Sequence, residues 1–390
     1  MRLTHLLLED FRSYQRAELH PAPGLTIVTG PNAAGKSNLL ESVFVAVTGR
    51  TPRAASEDEL VRHGRPFARV RLDVADPTGG QGTRVELVIP GPGSTDTRRR
   101  LLVNGAARRS SSLAETVRAV LFRPEEMLLL VGAPSERRRF LDTILAQRER
   151  RLSHQLGELA RVLAQRNALL RAIRAEEAGP AELAFWDEQL VEAGSRVLHA
   201  RLRLVADLNR LVGPLHARVA SGRAGRGTRA EVHLEYADSL KRGPFVGTLL
   251  SASELAAFFR DRLEEVRQKE IWNGMSLVGP QRDDVRAVLD GRDVATHASR
   301  GQQRTIILAL KLAETDILGE GATGTPIVLL DDVFSELDVQ RTARALALLV
   351  ERGQVLVTTA ELRHLPAEQR RGVPIWHVQD GRLSDAPLVA

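Results

Sequence analysis

The sequence predicts an α/β fold: a mixed sheet with an antiparallel meander, interrupted by one long helical insertion. Three observations predict it. An apolar strand at residues 25–29 runs into Gly30-Pro31-Asn32-Ala33-Ala34-Gly35-Lys36-Ser37 and then into a helical segment. A second apolar strand at residues 325–330 ends on Asp331-Asp332 far downstream. Between the two, leucines recur at helical spacing instead of alternating.

The first element carries a recognisable chemistry. Residues Gly30 to Ser37 match G-x-x-x-x-G-K-[ST], a phosphate-binding P-loop, and the flanking strand and helix supply the context that such a loop needs. Successive backbone N–H groups and a helix N-terminus make a pocket for phosphate oxygens. Gly30, Pro31, Asn32, Ala33, Ala34, Gly35, Lys36, Ser37 and Asn38 are thus the candidate ATP-binding residues. Lys36 reaches the β- and γ-phosphates and Ser37 holds Mg²⁺ in such loops. The second element, Ile327-Val328-Leu329-Leu330-Asp331-Asp332, has the character of a buried parallel strand ending in two carboxylates, a Walker B pattern. Asp331 is the second candidate Mg²⁺ ligand. Asp332 would polarise the attacking water, so Asp332 and Lys36 are the candidate catalytic residues.

Length and composition set limits. With 390 residues the chain has room for two domains, or for one domain with a large insertion. It has no cysteine, which removes disulfides, cysteine metal sites and thiol catalysis together. The apolar run at residues 6–8 is too short for a signal peptide, and no segment approaches a membrane span, so a cytoplasmic protein without membrane contact is expected. The net charge is +6 and the basic residues are almost all arginine, the lysines being Lys36, Lys241, Lys269 and Lys311. Arginine groups at 98–100, 108–109, 137–139 and at Arg223, Arg226 and Arg229 suit a polyanion. Taken singly, each reads better as a solvated face.

The elements follow in order. Residues 2–8 read as a strand, with a turn at Phe11-Arg12-Ser13-Tyr14. Alternating runs at 68–74, 83–89 and 99–103, with Asn104-Gly105 as a turn, read as an antiparallel meander. The period then changes. Leu145, Leu152, Leu156, Leu159, Leu163 and Leu170 follow spacings of 7, 4, 3, 4 and 7, a heptad seam. Gly179-Pro180 ends that helix, and Trp186, Leu190, Val197, Leu204, Leu208, Leu211 and Leu215 make a second seam. Two antiparallel helices of about 35–40 residues would form an arm about 50–60 Å long. A strand at 229–236 and a helix at 253–270 return the chain, and mixed α/β pattern resumes at Leu277. The expected domains are a head of residues 1–115 and 275–390 and an inserted helical arm of residues 116–274.

A further motif sharpens the class. Ala298-Ser299-Arg300-Gly301-Gln302-Gln303-Arg304-Thr305 precedes an amphipathic helix at 306–318 and resembles the signature of ABC-type ATPases. Ser299 brings a hydroxyl, Gly301 permits close backbone approach, and the helix N-terminus attracts an anion. The resemblance implies that Ser299, Gly301 and Gln302 cap the γ-phosphate of a nucleotide on a second copy. Arg300 replaces the usual middle glycine. Taken alone, Ser299 also reads as an ordinary N-cap. Ser335-Glu336-Leu337-Asp338 matches the D-loop. Thr358-Thr359 stands where transporter ATPases carry a histidine, and Phe122-Arg123-Pro124-Glu125-Glu126 takes the place of a Q-loop. The fold class is therefore a P-loop ABC-type ATPase head with an inserted coiled-coil-like helical arm.

Nearly end to end, the chain resembles the RecF family of bacterial recombination mediators, related to the SMC-type DNA-repair ATPases. The resemblance rests on Leu8-Glu9-Asp10-Phe11-Arg12-Ser13-Tyr14, residues 30–41, Glu59-Leu60-Val61-Arg62 and the Phe122 to Glu126 segment. It rests also on Pro134-Ser135-Glu136-Arg137-Arg138-Arg139-Phe140-Leu141-Asp142, Gly279-Pro280-Gln281-Arg282-Asp283-Asp284, residues 299–305 and residues 330–338. Gln281 stands where the family commonly has histidine, and Ala54-Ala55 where it has Thr-Ser. The resemblance implies an ATP-dependent homodimer that binds double-stranded DNA, single-stranded DNA and the junctions between them. It implies that RecR and RecO are partners in loading RecA at gaps, in SOS induction and in recovery of stalled forks. It implies weak, DNA-stimulated ATP hydrolysis used as a release timer. A short SMC-like clamp without significant hydrolysis is the alternative. A transporter subunit lacks support from the arm and the missing histidine, and an ATPase-coupled nuclease would need a further catalytic domain after the Walker B strand.

Overall fold

The computed structural model describes residues 1–52, 56–76, 79–92, 94, 98–221, 231–240, 250–320, 324–335 and 337–385. Ala54-Ala55, Arg223, Arg226, Arg229, Lys241 and Glu336 lie outside the described residues. The strands are β1 (Arg2–Phe11), β2 (Tyr14–Leu19), β3 (Leu25–Thr29), β4 (Phe67–Ala75), β5 (Thr83–Pro90), β6 (Arg100–Val103), β7 (Ala106–Ala107), β8 (Ala119–Phe122), β9 (Val232–Ala237), β10 (Asp284–Leu289), β11 (Arg292–Asp293), β12 (Ile327–Asp331), β13 (Val355–Thr359), β14 (Ile375–Gln379) and β15 (Arg382–Asp385). The helices are α1 (Lys36–Thr48), α2 (Leu128–Val131), α3 (Pro134–Arg148), α4 (Arg150–Arg174), α5 (Leu183–Ser221), α6 (Ala252–Asn273), α7 (Val294–His297), α8 (Arg300–Gly319), α9 (Val339–Val350) and α10 (Ala367–Arg370).

Two compact units result. One gathers Met1–Glu126, Leu215–Gly225 and Leu308–Ala390; the other gathers Met127–Pro214 and Arg226–Ile307. Residues 284–289 fall in the second because β10 pairs along its whole length with β9. Two of the passages between the units lie inside α5 and α8.

The first unit holds two sheets. One has the order β2-β1-β4-β5-β6-β7 and contains the expected meander. Its strands β4 and β5 alternate buried and partly exposed residues, as a sheet with one packed face must. Asn104 and Gly105 turn β6 into β7 with φ of 50° and 79°, the left-handed pair that tight hairpins require. The other sheet has the order β15-β14-β3-β13-β12-β8. Here β3, β12 and β13 are buried at every position and pair in parallel, which is why they read as unbroken apolar runs. Helix α1 lies in one core with both sheets: Leu39, Leu40 and Val43 cluster with Leu6, Leu72 and Leu87 of the meander and with Val28, Leu329 and Leu356. A helix buried so broadly needs apolar residues around most of its circumference, and Leu39 to Val47 supply them.

The second unit departs from the expected pair of helices in detail. The first expected helix is two, because Glu149 is extended (φ −148°, ψ 138°) between α3 and α4. The buried stripe of α4 is Gln155, Leu159, Val162, Arg166, Leu170 and Ile173, whereas Leu152, Leu156 and Leu163 are only partly covered. The reason is an arginine. Arg166 is 1% exposed and donates to Asp187 of α5 (2.8 Å), Glu270 of α6 (2.6 Å) and Ser276 Oγ (2.8 Å). A buried guanidinium with two carboxylates and a hydroxyl around it fixes the rotation of three helices at once. Helix α5 runs 39 residues, about 58 Å at 1.5 Å per residue, and buries Leu190, Val197, Leu204, Leu208 and Leu215. Its cover is wider than one seam, since Val191, Leu198, Leu202 and Val205 are buried too. Helix α6 opens on Ser251, whose hydroxyl accepts from Glu254 N while the Glu254 carboxylate accepts from Ser251 N.

Candidate nucleotide-binding site

Three parallel strands end together, and their ends carry the chemistry. β3 delivers the P-loop, β12 delivers Asp331 and Asp332, and β13, between them, delivers Thr358 and Thr359. Ser37 at the start of α1 donates from Oγ to Asp331 Oδ1 at 2.8 Å, across 294 residues of sequence. Thr358 Oγ1 donates to the same oxygen at 2.9 Å. Two hydroxyls thus fix the Asp331 carboxylate, which is 3% exposed. Ser37 and Asp331, the two candidate metal ligands, are in direct contact. Their donor set is hard oxygen, the set that suits Mg²⁺.

Asp332 is held differently. Its backbone takes a left-handed φ of 50°, and its N–H donates to both the carbonyl and the hydroxyl of Thr358 at 3.2 Å. Its Oδ1 is buried without a hydrogen-bond partner. Burial therefore pushes its carboxyl above the ordinary range; a backbone hydrogen bond from Ala360 and the Lys36 charge oppose that. A buried acceptor left open at the end of a Walker B strand is a group with capacity for a donor such as water.

The loop itself is tightly supported. Gly30 has no room for a side chain, since a Cβ would meet the Val378 carbonyl oxygen at 2.1 Å. Gly35 has φ of 112°, and a Cβ there would meet Ser13 Oγ at 2.6 Å. Pro31, Asn32 and Ala33 form the exposed crest. Lys36 is 7% exposed and donates from Nζ to the carbonyls of Gly30 (2.8 Å) and Pro31 (2.9 Å). Burial holds its ammonium below the ordinary lysine range, against the pull of Asp332 and Asp331. Asn38 donates to Ser13 Oγ at 3.0 Å.

The Phe11 to Tyr14 block lies beneath this loop. Phe11 and Tyr14 pair at the mouth of the β1–β2 hairpin, both fully buried. The Tyr14 hydroxyl donates to the Gly35 carbonyl at 2.9 Å, and burial pushes its phenol well above the usual range. Arg12 grips Glu41 of α1 with two nitrogens (3.1 and 3.3 Å) and donates to the Glu59 carbonyl at 3.1 Å. Its N–H reaches the Leu60 carbonyl, and Phe11 bridges to Val61. Blocks far apart in sequence thus form one support for the P-loop.

Arg123, at the end of β8, pairs with Glu126 (3.5 Å), and Glu126 with the buried Lys311 of α8 (3.6 Å). His364 escaped the sequence reading, which sought a histidine at Thr358-Thr359. It ends the short 3₁₀ turn that follows β13, on the same side of the strand as Asp332, whose ionised form a protonated imidazole there would favour.

The signature residues belong to the second unit. Ser299, Arg300 and Gln302 are exposed at the start of α8, with Gly301 beside them. Ser299 N donates to Gln302 Oε1 (2.8 Å) and Gln302 N to Ser299 Oγ (3.3 Å), a capping box. The N-cap reading of Ser299 is therefore realised in the single chain, and the Ser299 hydroxyl, being an acceptor there, keeps its hydrogen to donate. In the same unit the Arg137-Arg138-Arg139 group corrects the expectation of a solvated face. Arg137 grips Asp284 at 2.7 and 2.9 Å, and Arg138 donates to the Asp283 carbonyl at 2.7 Å; of the three, Arg139 is exposed. Asp142 grips the buried Arg201 at 2.8 and 2.9 Å, and Arg201 reaches the Pro280 carbonyl at 2.6 Å. Tyr236 donates to Asp283 Oδ2 at 2.8 Å.

Comparison with known proteins agrees with this geometry. Residues 2–382 match the family described as RecF/RecN/SMC N terminal domain. The chain is 37% identical over 401 residues to a DNA replication and repair protein RecF from Chloroflexus aurantiacus, covering 98% of this chain and 99% of that protein. It is 33% identical to the one from Bacillus subtilis, covering 98% and 100%. The solved structure of the recombination mediator protein RecF with ATP, from the RecFOR pathway, aligns with a TM-score of 0.86 at 26% identity, over 99% of this chain and 98% of that one. An SMC head bound to the ScpA winged-helix domain aligns at 0.54 with 14% identity, a likeness of fold alone. No helix among the described residues is long and apolar enough to cross a membrane. With a P-loop completed by Ser37, Asp331 and Thr358 and with relatives matched over almost their whole length, the chain belongs to the RecF family of DNA replication and repair proteins.

Proposed function

We propose that this chain is a cytoplasmic, ATP-gated DNA-binding protein of recombinational repair, and that it closes as a homodimer around two nucleotides. The observation that carries the reading is the meeting of Lys36, Ser37, Asp331 and the open Asp332 carboxylate at one sheet edge. Lys36 exchanges the carbonyls of Gly30 and Pro31 for the β- and γ-phosphates, while the backbone N–H groups of residues 32–38 cradle them. Ser37 and Asp331 would hold Mg²⁺, which neutralises phosphate charge when bound. Asp332 Oδ1 accepts from the attacking water and orients it. Ser299, Gly301 and Gln302 of a second copy cap the γ-phosphate, so hydrolysis waits for pairing and is slow. Loss of that phosphate removes the link, and ATP acts as a timer for residence on DNA.

The closed pair grips duplex DNA and single-strand–duplex junctions through phosphates, with affinity that falls steeply with salt. The likeness to a mediator of the RecFOR pathway supports a role beside RecO and RecR in loading RecA at gaps, and through it in SOS induction and replication restart. The functional division we propose follows the motifs: residues 1–115 and 275–390 as the ATPase head, residues 116–274 as the arm. Sedimentation of the purified chain with no nucleotide, with ADP and with ATP tests the central claim. A monomer that pairs only with ATP is expected. A monomer under all three conditions, with DNA present as well, overturns the cross-subunit role of Ser299.

A further inference from the structure

We propose a transition-metal site on the outer face of the meander sheet, formed by His5, Glu18 and His20, which takes Zn²⁺ or a similar borderline cation. The ligand atoms of these three residues all lie within 4.8 Å of one another. The sheet register brings them together. β1 and β2 are antiparallel, with Leu6 opposite Leu19 and Leu7 opposite Glu18, so His5 is the same-face diagonal neighbour of Glu18. His20 follows directly on the last paired residue of β2. A register shift between Leu3 and His5 in the β1–β4 pairing re-aims this part of the strand.

The hydrogen-bond count points to a cation. His5 Nε2 lies 2.8 Å from Glu18 Oε1, and His5 Nδ1 lies 3.0 Å from Asp73 Oδ2. A neutral imidazole has one donor and one acceptor, yet here both nitrogens face carboxylates. The arrangement is satisfied if a positive charge sits at Nε2, as a second proton or as a metal ion. A second imidazole faces the same oxygen, since His20 Nε2 is 3.6 Å from Glu18 Oε1. One proton serves two partners; a metal serves all three. Zn²⁺ bonds of about 2.0–2.2 Å in a tetrahedron separate ligand atoms by about 3.3 Å, a value that the 2.8 and 3.6 Å separations bracket. The His5 and His20 rings are stacked, with centroids 4.7 Å apart, so His20 must turn to aim Nε2 at the ion. It is 63% exposed and has the space.

The outer shell is already built. Asp73 accepts from His5 Nδ1, fixing the tautomer whose Nε2 faces Glu18, and Arg84 holds Asp73 from β5 at 2.6 Å. A carboxylate behind a histidine is the usual support of a metal ligand. The ligands are imidazole and carboxylate, which select Zn²⁺, Co²⁺ or Ni²⁺ over Mg²⁺, and solvent fills the remaining position. Bound metal would clip β2, an edge strand of its sheet, to β1.

Titration of the full chain, free of any histidine tag, with Zn²⁺ and then Co²⁺ in millimolar Mg²⁺ tests the site. One Zn²⁺ per chain is expected, together with the visible absorption of tetrahedral Co²⁺. His20→Ala and Glu18→Gln should each abolish that absorption while leaving ATP binding unchanged. Asp73→Asn should weaken Zn²⁺ by about 10–100-fold. Lys36→Met should keep the metal, separating this site from the P-loop. No uptake by the parent chain, or equal uptake by the parent and His20→Ala, overturns the proposal.

Discussion

The P-loop edge and the arginine block of the second unit are both built from family-specific motifs, and their residues end in opposite conditions. At the P-loop edge, capacity is left open. Lys36 rests on two backbone carbonyls, and Asp332 keeps a buried oxygen without a partner. In the arginine block, the charged side chains are paired off. Arg137 is spent on Asp284 and Gly132, Arg201 on Asp142 and Pro280, and Asp283 on Tyr236 and Ser239. A motif therefore marks that a geometry is required. Whether that geometry serves ligand or fold depends on which polar groups remain unpaired.

Five substitutions break or sharpen this contrast. The largest effect on stability is expected from Arg201→Met, which leaves Asp142 with one buried partner fewer. Removing one side of a buried pair costs about 3–5 kcal/mol, read from denaturant unfolding. Lys36→Met should leave unfolding nearly unchanged and weaken ATP by about 100-fold or more, about 3 kcal/mol, in a fluorescent-nucleotide titration. If the two variants exchange phenotypes, the contrast is wrong.

Asp332→Asn should bind ATP, slow hydrolysis by about 100-fold or more and accumulate closed dimers. Its stability profile adds a second check. Burial holds the Asp332 carboxyl above its unfolded value, so the native state keeps that proton longer. The contribution of this group is then fully present below the ordinary carboxylate range and is lost as pH rises through the raised value. Thermal unfolding from pH 3 to pH 7 should fall less for Asp332→Asn than for the parent. The smallest effect is expected from Ser299→Ala, a lost cap costing about 1 kcal/mol in the monomer. Ser299→Arg should bind ATP and stay monomeric in sedimentation; dimerisation by that variant would remove the signature role.

The P-loop and the Walker B strand were legible because their signals are local. Gly30 and Gly35 are demanded by neighbours that tolerate no side chain, and Leu25 to Thr29 and Ile327 to Leu330 are apolar because both faces of the sheet are covered. The meander was legible by alternation and by Asn104-Gly105. The leucine seam of α4 was legible in type and holds at Leu159 and Leu170, but Arg166 takes a buried place and Leu163 does not. Periodicity counts apolar residues, and an arginine neutralised by Asp187 and Glu270 cannot be distinguished in sequence from one in water. Strands β8 and β14 are not legible because segments of four or five residues carry too little pattern to separate strand from helix.

The sequence by itself determined a P-loop nucleotide fold with a helical insertion, because strand period, helix period and loop spacing act over a few residues. The tertiary structure alone decided that Ser37 and Thr358 share one oxygen of Asp331, that Arg12 clasps Glu41 beneath the P-loop, and that Arg137 and Arg138 are bound within the fold. Those outcomes depend on which distant carboxylate or carbonyl meets each cation once water is excluded, and that pairing exists only when the chain is folded.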